Sequence, residues 1–323
     1  MTANQFKART AQLLTAGQPF FFIVSFDCTQ FGVYTFREAY QKDIVFNIKG
    51  IHNYTKLLLS KGPLKPLKVE PFPFQSYLHG FEKVMTHLKA GNSFLVNLTF
   101  PNAIAAVDLK NLFFEANAPY KLRFQNDFVC FSPECFVKIK DDHIFSYPMK
   151  GTIDASLEDA QEQLLNNTKE QQEHHTIVDL IRNDLSRVAK AVTVTKFRYL
   201  ETIRSATGNI LQTSSEIRGK LPKTWKRDFG TLLLELLPAG SISGAPKEKT
   251  IKIINEVEHY ERGFYTGVFG IFDGTAIDSG VAIRFIQNNQ GSYQFKSGGG
   301  ITHQSNVKEE YLELIKKIHV PTL

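Results

Sequence analysis

Between residues 173 and 187 the chain reads EHHTIVDLIRNDLSR. Ile177, Leu180, Ile181 and Leu185 recur there at the spacing of one helical face. Thr168 and Gln171 form a capping box that predicts a helix over about 169–188. Glu173 lies one turn before Ile177, so a carboxylate leads the face that the pattern buries. A buried carboxylate without a partner costs several kcal/mol. Glu173 therefore either meets a cation, a bound metal being one candidate, or lies nearer solvent than the pattern implies. Asp179, Arg182, Asn183 and Asp184 fall within i,i+3 and i,i+4 reach of one another, which an ordinary amphipathic helix with intrahelical ion pairs also produces.

Elsewhere the pattern alternates strands with helices. PFFFIVSFD, FGVYTF and DIVFNI, within about 20–48, are rich in aromatic and β-branched residues and predict strands. Residues 62–73 hold four Pro and read as a linker. Phe81, Val84, Met85 and Leu88 predict a helix over Phe74–Lys89 that stops before Gly91. SFLVNLTFP then predicts a strand, and Leu109–Ala116 a helix. Ser156 and Asp159 give a capping box for a helix at about 157–166. VTVTKF and NILQTSSEIRGKL predict strands, and Phe229–Leu237 a helix. The small-residue loop Ala239–Pro246 feeds a helix over Lys247–Val257. The chain ends in the strands YTGVFGIFDG, SGVAIRFIQ and SYQFKSGGG and a helix at about 307–319 carrying Glu309, Glu310 and Glu313.

CFVKIK and HIFSYPMK predict a hairpin. A three-residue loop at 141–143 pairs Lys140 with Ile144, and so sets Glu134 opposite Lys150. A two-residue loop shifts every pair by one position. Facing Cβ atoms stand roughly 5 Å apart, so an acid and an amine meet at the open end of the hairpin, unless Pro133 and Pro148 break the ladder first.

A chain of 323 residues with 27 Phe has ample material for a core. No apolar run approaches the ~18 residues of a membrane helix, and the N-terminus lacks the order of a signal peptide. Cys28, Cys130 and Cys135 fit neither a disulfide framework nor a zinc site, so a reducing cytoplasm is the expected location. The net charge of +6 suits an anionic small molecule. The basic stretches 61–68 and 220–227 lack the interleaved aromatic residues that stack on bases, so neither nucleic acid nor membrane is expected as a partner. GSISGAPK is not a Walker loop, because three residues separate Gly240 from Gly244, and Ala245 and Pro246 precede Lys247. The loop remains a plausible seat for a carboxylate.

In order along the chain, GNSFLVNLTFP, SPECF, YPMKGT, EHHTIVDLIRNDLSRV, PAGSISGAPK, RGFYTGVFG, VAIRF and GGGITHQSNVKEEYLE resemble the chorismate-utilising enzymes. That family includes the anthranilate and aminodeoxychorismate synthase components I and the isochorismate and salicylate synthases. The resemblance covers about 74–317. It implies an α+β fold of two packed, mostly antiparallel sheets with outer helices. A short strand-rich segment, 1–70, would join a catalytic domain, 71–321, in one globule. It also implies Mg²⁺ held by Glu173 and Glu310, with Glu313 alongside. Tyr265, Arg284, the backbone N–H groups of Gly299 and Gly300, and Lys317 would hold the carboxylates of chorismate, with Gln212 and Ser241 in the same substrate site.

Three positions distinguish the branches. Lys150 in YPMKGT resembles the aminodeoxychorismate synthases, whereas anthranilate synthases carry a small residue there. Leu95 stands where isochorismate and salicylate synthases carry a water-activating Lys, and Gln212 where anthranilate synthases usually have His. The expected reaction converts chorismate and ammonia to 4-amino-4-deoxychorismate, for p-aminobenzoate and folate. Lys150 would be the nucleophile, made neutral by burial or a nearby cation, and Glu134 the general acid. No cysteine sits in a Gly-flanked nucleophile turn, so ammonia is expected from solution or from a separate glutaminase subunit. The rivals are an anthranilate synthase component I and a catalytically silent paralogue that only binds.

Overall fold

The computed structural model describes residues 1–55, 66–205 and 208–321. The strand Phe20–Val24 is buried along its whole length, which is why FFFIV shows no polar alternation. Successive side chains point to opposite faces of a strand. Phe21 and Ile23 join a core with Phe46 and Leu122 of a second sheet, Phe21 stacking on Phe46 at 5.1 Å. Phe20, Phe22 and Val24 enter the main core on the other face. There they meet the helices Ala3–Thr15 and Trp225–Leu236, Phe22 lying edge-on to Phe229 at 5.4 Å.

The described residues form two nine-stranded sheets, antiparallel at each pairing described here, with helices outside: the expected α+β fold. One sheet runs 149–154, 208–220, 143–146, 135–140, 277–281, 268–272, 20–24, 31–35, with 190–205 also paired to 208–220. The other runs 244–245, 95–104, 292–301, 285–289, 128–132, 120–124, 44–48, 51–52, with 69–70 also paired to 95–104. Strands from the first 70 residues thus enter both sheets. Residues 62–65 of the expected linker lie outside the described residues, and Val69–Glu70 is a short strand.

Several expectations are corrected by side-chain chemistry. The helix Thr168–Ser186 is capped by Asn167, whose side chain accepts from the Glu170 amide at 3.0 Å, while Gln171 reaches back to the Leu165 carbonyl. The helix before it is only Ala160–Asn166, because Ser156 bonds to Asp154 instead of capping. Thr2 and Gln5 form the capping box of Ala3–Thr15, a further helix that buries Phe6, Thr10, Leu13 and Leu14 on one face.

Two crossings between the sheets matter most. SGVAIRFIQ is not one strand: Ile277–Val281 belongs to the first sheet and Phe285–Asn289 to the second. The chain also passes from the second sheet at Phe128–Ser132 to the first at Cys135–Lys140. The crossings are tied together by Val281 N–H donating to the Glu134 carbonyl and Phe131 N–H to the Arg284 carbonyl.

Candidate active site

Because a sheet crossing leaves its ladder for a few residues, side chains there can point between the layers. Glu134 sits at one crossing, where its amide donates to Ser132 Oγ at 3.0 Å. Arg284 sits at the other, in the left-handed region at φ 52. Both line a cavity of about 900 Å³ that also touches Lys150, Glu173, Gln212, Ser241, Tyr265, Gly298, Gly300 and Lys317. That volume suits a small-molecule ligand. Leu95 lines it too, leaving an apolar side chain where a base would be needed to activate water.

The hairpin register differs from the three-residue alternative. His143 pairs with Lys140 and Ile144 with Ile139, so the loop is Asp141–Asp142, both with positive φ, the conformation of the tight hairpin turn. The hairpin ladder ends at Phe145 opposite Lys138, and Met149–Asp154 pairs instead with Gly208–Lys220. Glu134 and Lys150 therefore do not face each other as cross-strand neighbours. They share the cavity through tertiary packing.

Lys150 stands on a bulge between Met149 and Thr152, followed by Gly151 at φ 92. Bulges of this kind re-aim a side chain. Its carbonyl accepts from Thr213 Oγ1 and lies 3.4 Å from His174 Nδ1. His174 is fully buried against Ser215 Oγ at 2.7 Å, and burial pushes its imidazole down to about 4.

The Lys150 amine is 2.7 Å from Glu173 Oε2, so the cation that Glu173 required is Lys150. With Glu173 as its partner the amine is held as a cation, whereas the expected chemistry needs it neutral. Burial works to lower the lysine's pKa, but the charge and hydrogen bond of Glu173, with Glu313 and Glu170, raise it above the ordinary value. Burial raises the Glu134 carboxyl, against the opposing effects of Ser241 and Lys317. Ser241 Oγ donates directly to Glu134 Oε1. The loop around Ser241 is fixed by the largely buried ion pair of Lys247 with Asp184, 3.0 Å long. Gly244, at φ 138, is also required there, because a Cβ would collide with the Leu95 carbonyl.

The carboxylates gather around Lys150. Glu310 is buried, accepts from Ser305 Oγ at 2.7 Å and is raised by burial. Glu313 pairs with Lys317 at 2.7 Å, and Lys317 also donates to the Gly298 carbonyl at 2.9 Å. A Cβ on Gly299 would lie 3.6 Å from Glu310 and 3.5 Å from Glu313, so the glycine strand passes close to both. Gly299 and Gly300 pair with Leu98 and Asn97 in the ladder.

Glu170 is the residue that the helical pattern did not single out, although it precedes Glu173 by three positions on the same face. Its Oε2 is buried without a hydrogen-bond partner, and burial raises its pKa. Among the described residues no three His, Cys, Asp or Glu side chains are grouped as a metal site in this arrangement. The donor set of hard carboxylate oxygens, with Glu170 Oε2 unpartnered, nonetheless suits Mg²⁺.

Tyr265 is buried, and burial pushes its phenol well up. Arg284 was expected to fork a carboxylate, yet its Nη1 donates to the Lys317 carbonyl at 3.0 Å. Gln212 is buried in the cavity wall with Nε2 unpartnered.

The family model for chorismate binding enzymes matches residues 38–322, and the chain belongs to that family, whose members are enzymes acting on chorismate. It is 53% identical over 306 residues to an uncharacterized PabA-like protein of Haemophilus influenzae, covering 94% of this chain and 92% of that protein. Aminodeoxychorismate synthase component 1 of Bacillus subtilis is 30% identical over 263 residues, 76% of this chain and 55% of that protein. The crystal structure of anthranilate synthase component I from Streptococcus pneumoniae superposes with a TM-score of 0.67 at 27% identity, covering 79% of this chain and 59% of that one. Among the described residues no helix is long and apolar enough to cross a membrane.

Proposed function

We propose that this protein is an aminodeoxychorismate synthase component I, converting chorismate and ammonia to 4-amino-4-deoxychorismate and water. The observation that carries the reading is Lys150: an amine aimed by a bulge into the cavity that also holds Glu134, a carboxyl raised by its burial. Leu95 and Gln212 agree with that branch, and so does the likeness to the Bacillus subtilis protein.

In this reading the neutral Lys150 amine adds to the ring as a double bond shifts and the ring carbon–hydroxyl bond breaks. Glu134 gives its proton to the departing hydroxyl, which leaves as water. Ammonia adds at the carbon that lost the hydroxyl, the double bond shifts back, and the lysine amine is expelled. The proton shed by the adding ammonia returns to Glu134. Arg284, Tyr265 and Lys317 hold the substrate carboxylates, with Gly299 and Gly300 leaving room for them. Mg²⁺ on Glu173, Glu310 and Glu313 would bind a substrate carboxylate and take up the charge of Glu173 that otherwise keeps Lys150 protonated. Ammonia would come from a separate glutaminase subunit, and the setting would be cytoplasmic.

The likeness to the Streptococcus pneumoniae protein favours anthranilate synthesis as the second reading. Purified protein incubated with chorismate, ammonium and Mg²⁺ distinguishes the two. The expected result is p-aminobenzoate only when an aminodeoxychorismate lyase is added. Fluorescent anthranilate without lyase would sink the proposal, and no turnover at all would favour a silent binding protein.

A further inference from the structure

Lys296, on the strand Ser292–Ile301, contributes to the wall of the same cavity, and no step above uses it. Only 3% of it is exposed. Its Nζ donates to the Arg262 carbonyl at 3.1 Å and the Glu261 carbonyl at 3.3 Å. The rings of Tyr260, Tyr265 and Phe285 stand 5.1, 5.9 and 5.9 Å away. Carbonyl dipoles and ring faces favour a cation, but neither carries a full negative charge. Among the described residues Lys296 forms no ion pair. Glu258, the buried carboxylate whose charge reaches it, is already engaged by both Nε and Nη2 of Arg262, at 2.7 and 2.6 Å. A buried ammonium without its own counter-ion is costly. An anion entering the cavity would relieve that cost, and Tyr265 connects Lys296 to the wall where the substrate carboxylates are placed.

We propose that Lys296 is a substrate-positioning residue, its uncompensated buried charge drawing a carboxylate of a cyclic dianion into the Tyr265 end of the cavity. The inference rests on the chorismate reading and deepens it. It predicts that Lys296 governs affinity and leaves the chemical step alone. The groups facing the ammonium are Glu258, Glu261, Arg262 and the phenols of Tyr260 and Tyr265. Burial lifts both phenols well above their ordinary range, so they keep their protons at alkaline pH. Burial pushes Lys296 itself down to about 8. Its charge is therefore present below that pH and lost above it, and the dianion should bind more weakly as pH rises from about 7 to about 9.

The experiment is calorimetric titration of the whole protein with chorismate and Mg²⁺, without ammonia. Lys296→Met should weaken binding about tenfold, the scale of one charge-assisted contact. Its kcat with saturating chorismate should stay within about twofold, since a contact made equally in ground and transition states affects KM alone. Lys296→Arg, which keeps its charge, should restore affinity and remove the loss between pH 7 and 9. A folded Lys296→Met protein that binds like wild type overturns the inference. If that variant fails to fold, wild-type affinity unchanged from pH 7 to 9 overturns it equally. Wild type that binds no chorismate overturns the functional reading, and this inference with it.

Discussion

Two ion pairs of nearly equal length stand in this molecule, and they do different work. Arg262 and Glu258 meet at 2.6 Å with side chains 2% and 1% exposed, while Lys150 and Glu173 meet at 2.7 Å with 37% and 21% exposed. In the first pair every strong donor is committed. Arg262 Nη1 donates to the Ile242 carbonyl and Nη2 to the Asn97 carbonyl, and Glu258 Oε1 also accepts from the amide and hydroxyl of Thr99. Ile242 and Asn97 both line the cavity, so the pair holds the wall in place. The Lys150 pair is left open: the amine can change partners, and Glu170, Glu310 and Glu313 are close enough to shift one another or Lys150 electrostatically. A saturated, buried pair fixes geometry, whereas an unsaturated, half-exposed pair can exchange one cation for another.

Three substitutions sharpen that contrast. The largest effect should come from Lys150→Ala, which removes the proposed nucleophile. Aminodeoxychorismate formation in the lyase-coupled assay should fall by about 10³-fold or more, as residues that act as one catalytic unit do. Melting should move little, because a part-exposed pair is worth only ~1 kcal/mol. Near-wild-type turnover in this variant would reduce Lys150–Glu173 to a structural pair. Arg262→Met should do the reverse in kind. It strands Glu258 in the core and should lower unfolding stability by about 3–5 kcal/mol in denaturant titrations. A loss below ~1 kcal/mol would mean the wall does not depend on that pair.

The smallest expected effect concerns proton supply. Ser241 donates to Glu134 and so favours its ionised form, opposing the burial that raises the carboxyl. The reaction needs Glu134 protonated, so activity should decline as pH rises through that raised pKa. Ser241→Ala removes an influence that lowers the pKa, so the alkaline limb of the pH–rate profile should move to higher pH. A limb that stays fixed or moves down would detach Ser241 from Glu134's titration.

Much of the fold could be read locally. Phe74–Lys89 falls where its apolar spacing and Gly91 place it, and Lys247–Val257 where the small-residue loop feeds a helix, because a helix buries one face whatever it packs against. The run FFFIV likewise announced a strand, and the structure covers it on both sides. The motif order in the sequence was enough to indicate the family. Chain spacing could not say which acid meets which amine. Glu134 and Lys150 are 16 residues apart and looked like hairpin partners, yet the turn closes over two residues and Met149–Asp154 leaves for another strand. Lys150 then meets Glu173 across the packing of a helix on the sheet. The same holds for SGVAIRFIQ, one apolar run that the structure divides between two sheets at Arg284. It holds too for Lys296, an unremarkable lysine in the sequence that only burial among Tyr260, Tyr265 and Phe285 turns into an unbalanced charge. Residue types and local periodicity set which chemistry is available and where elements form. Desolvation and charge pairing depend on neighbours far apart in sequence, so the protonation of Lys150, Glu134 and Lys296 was decided only when the two sheets closed around them.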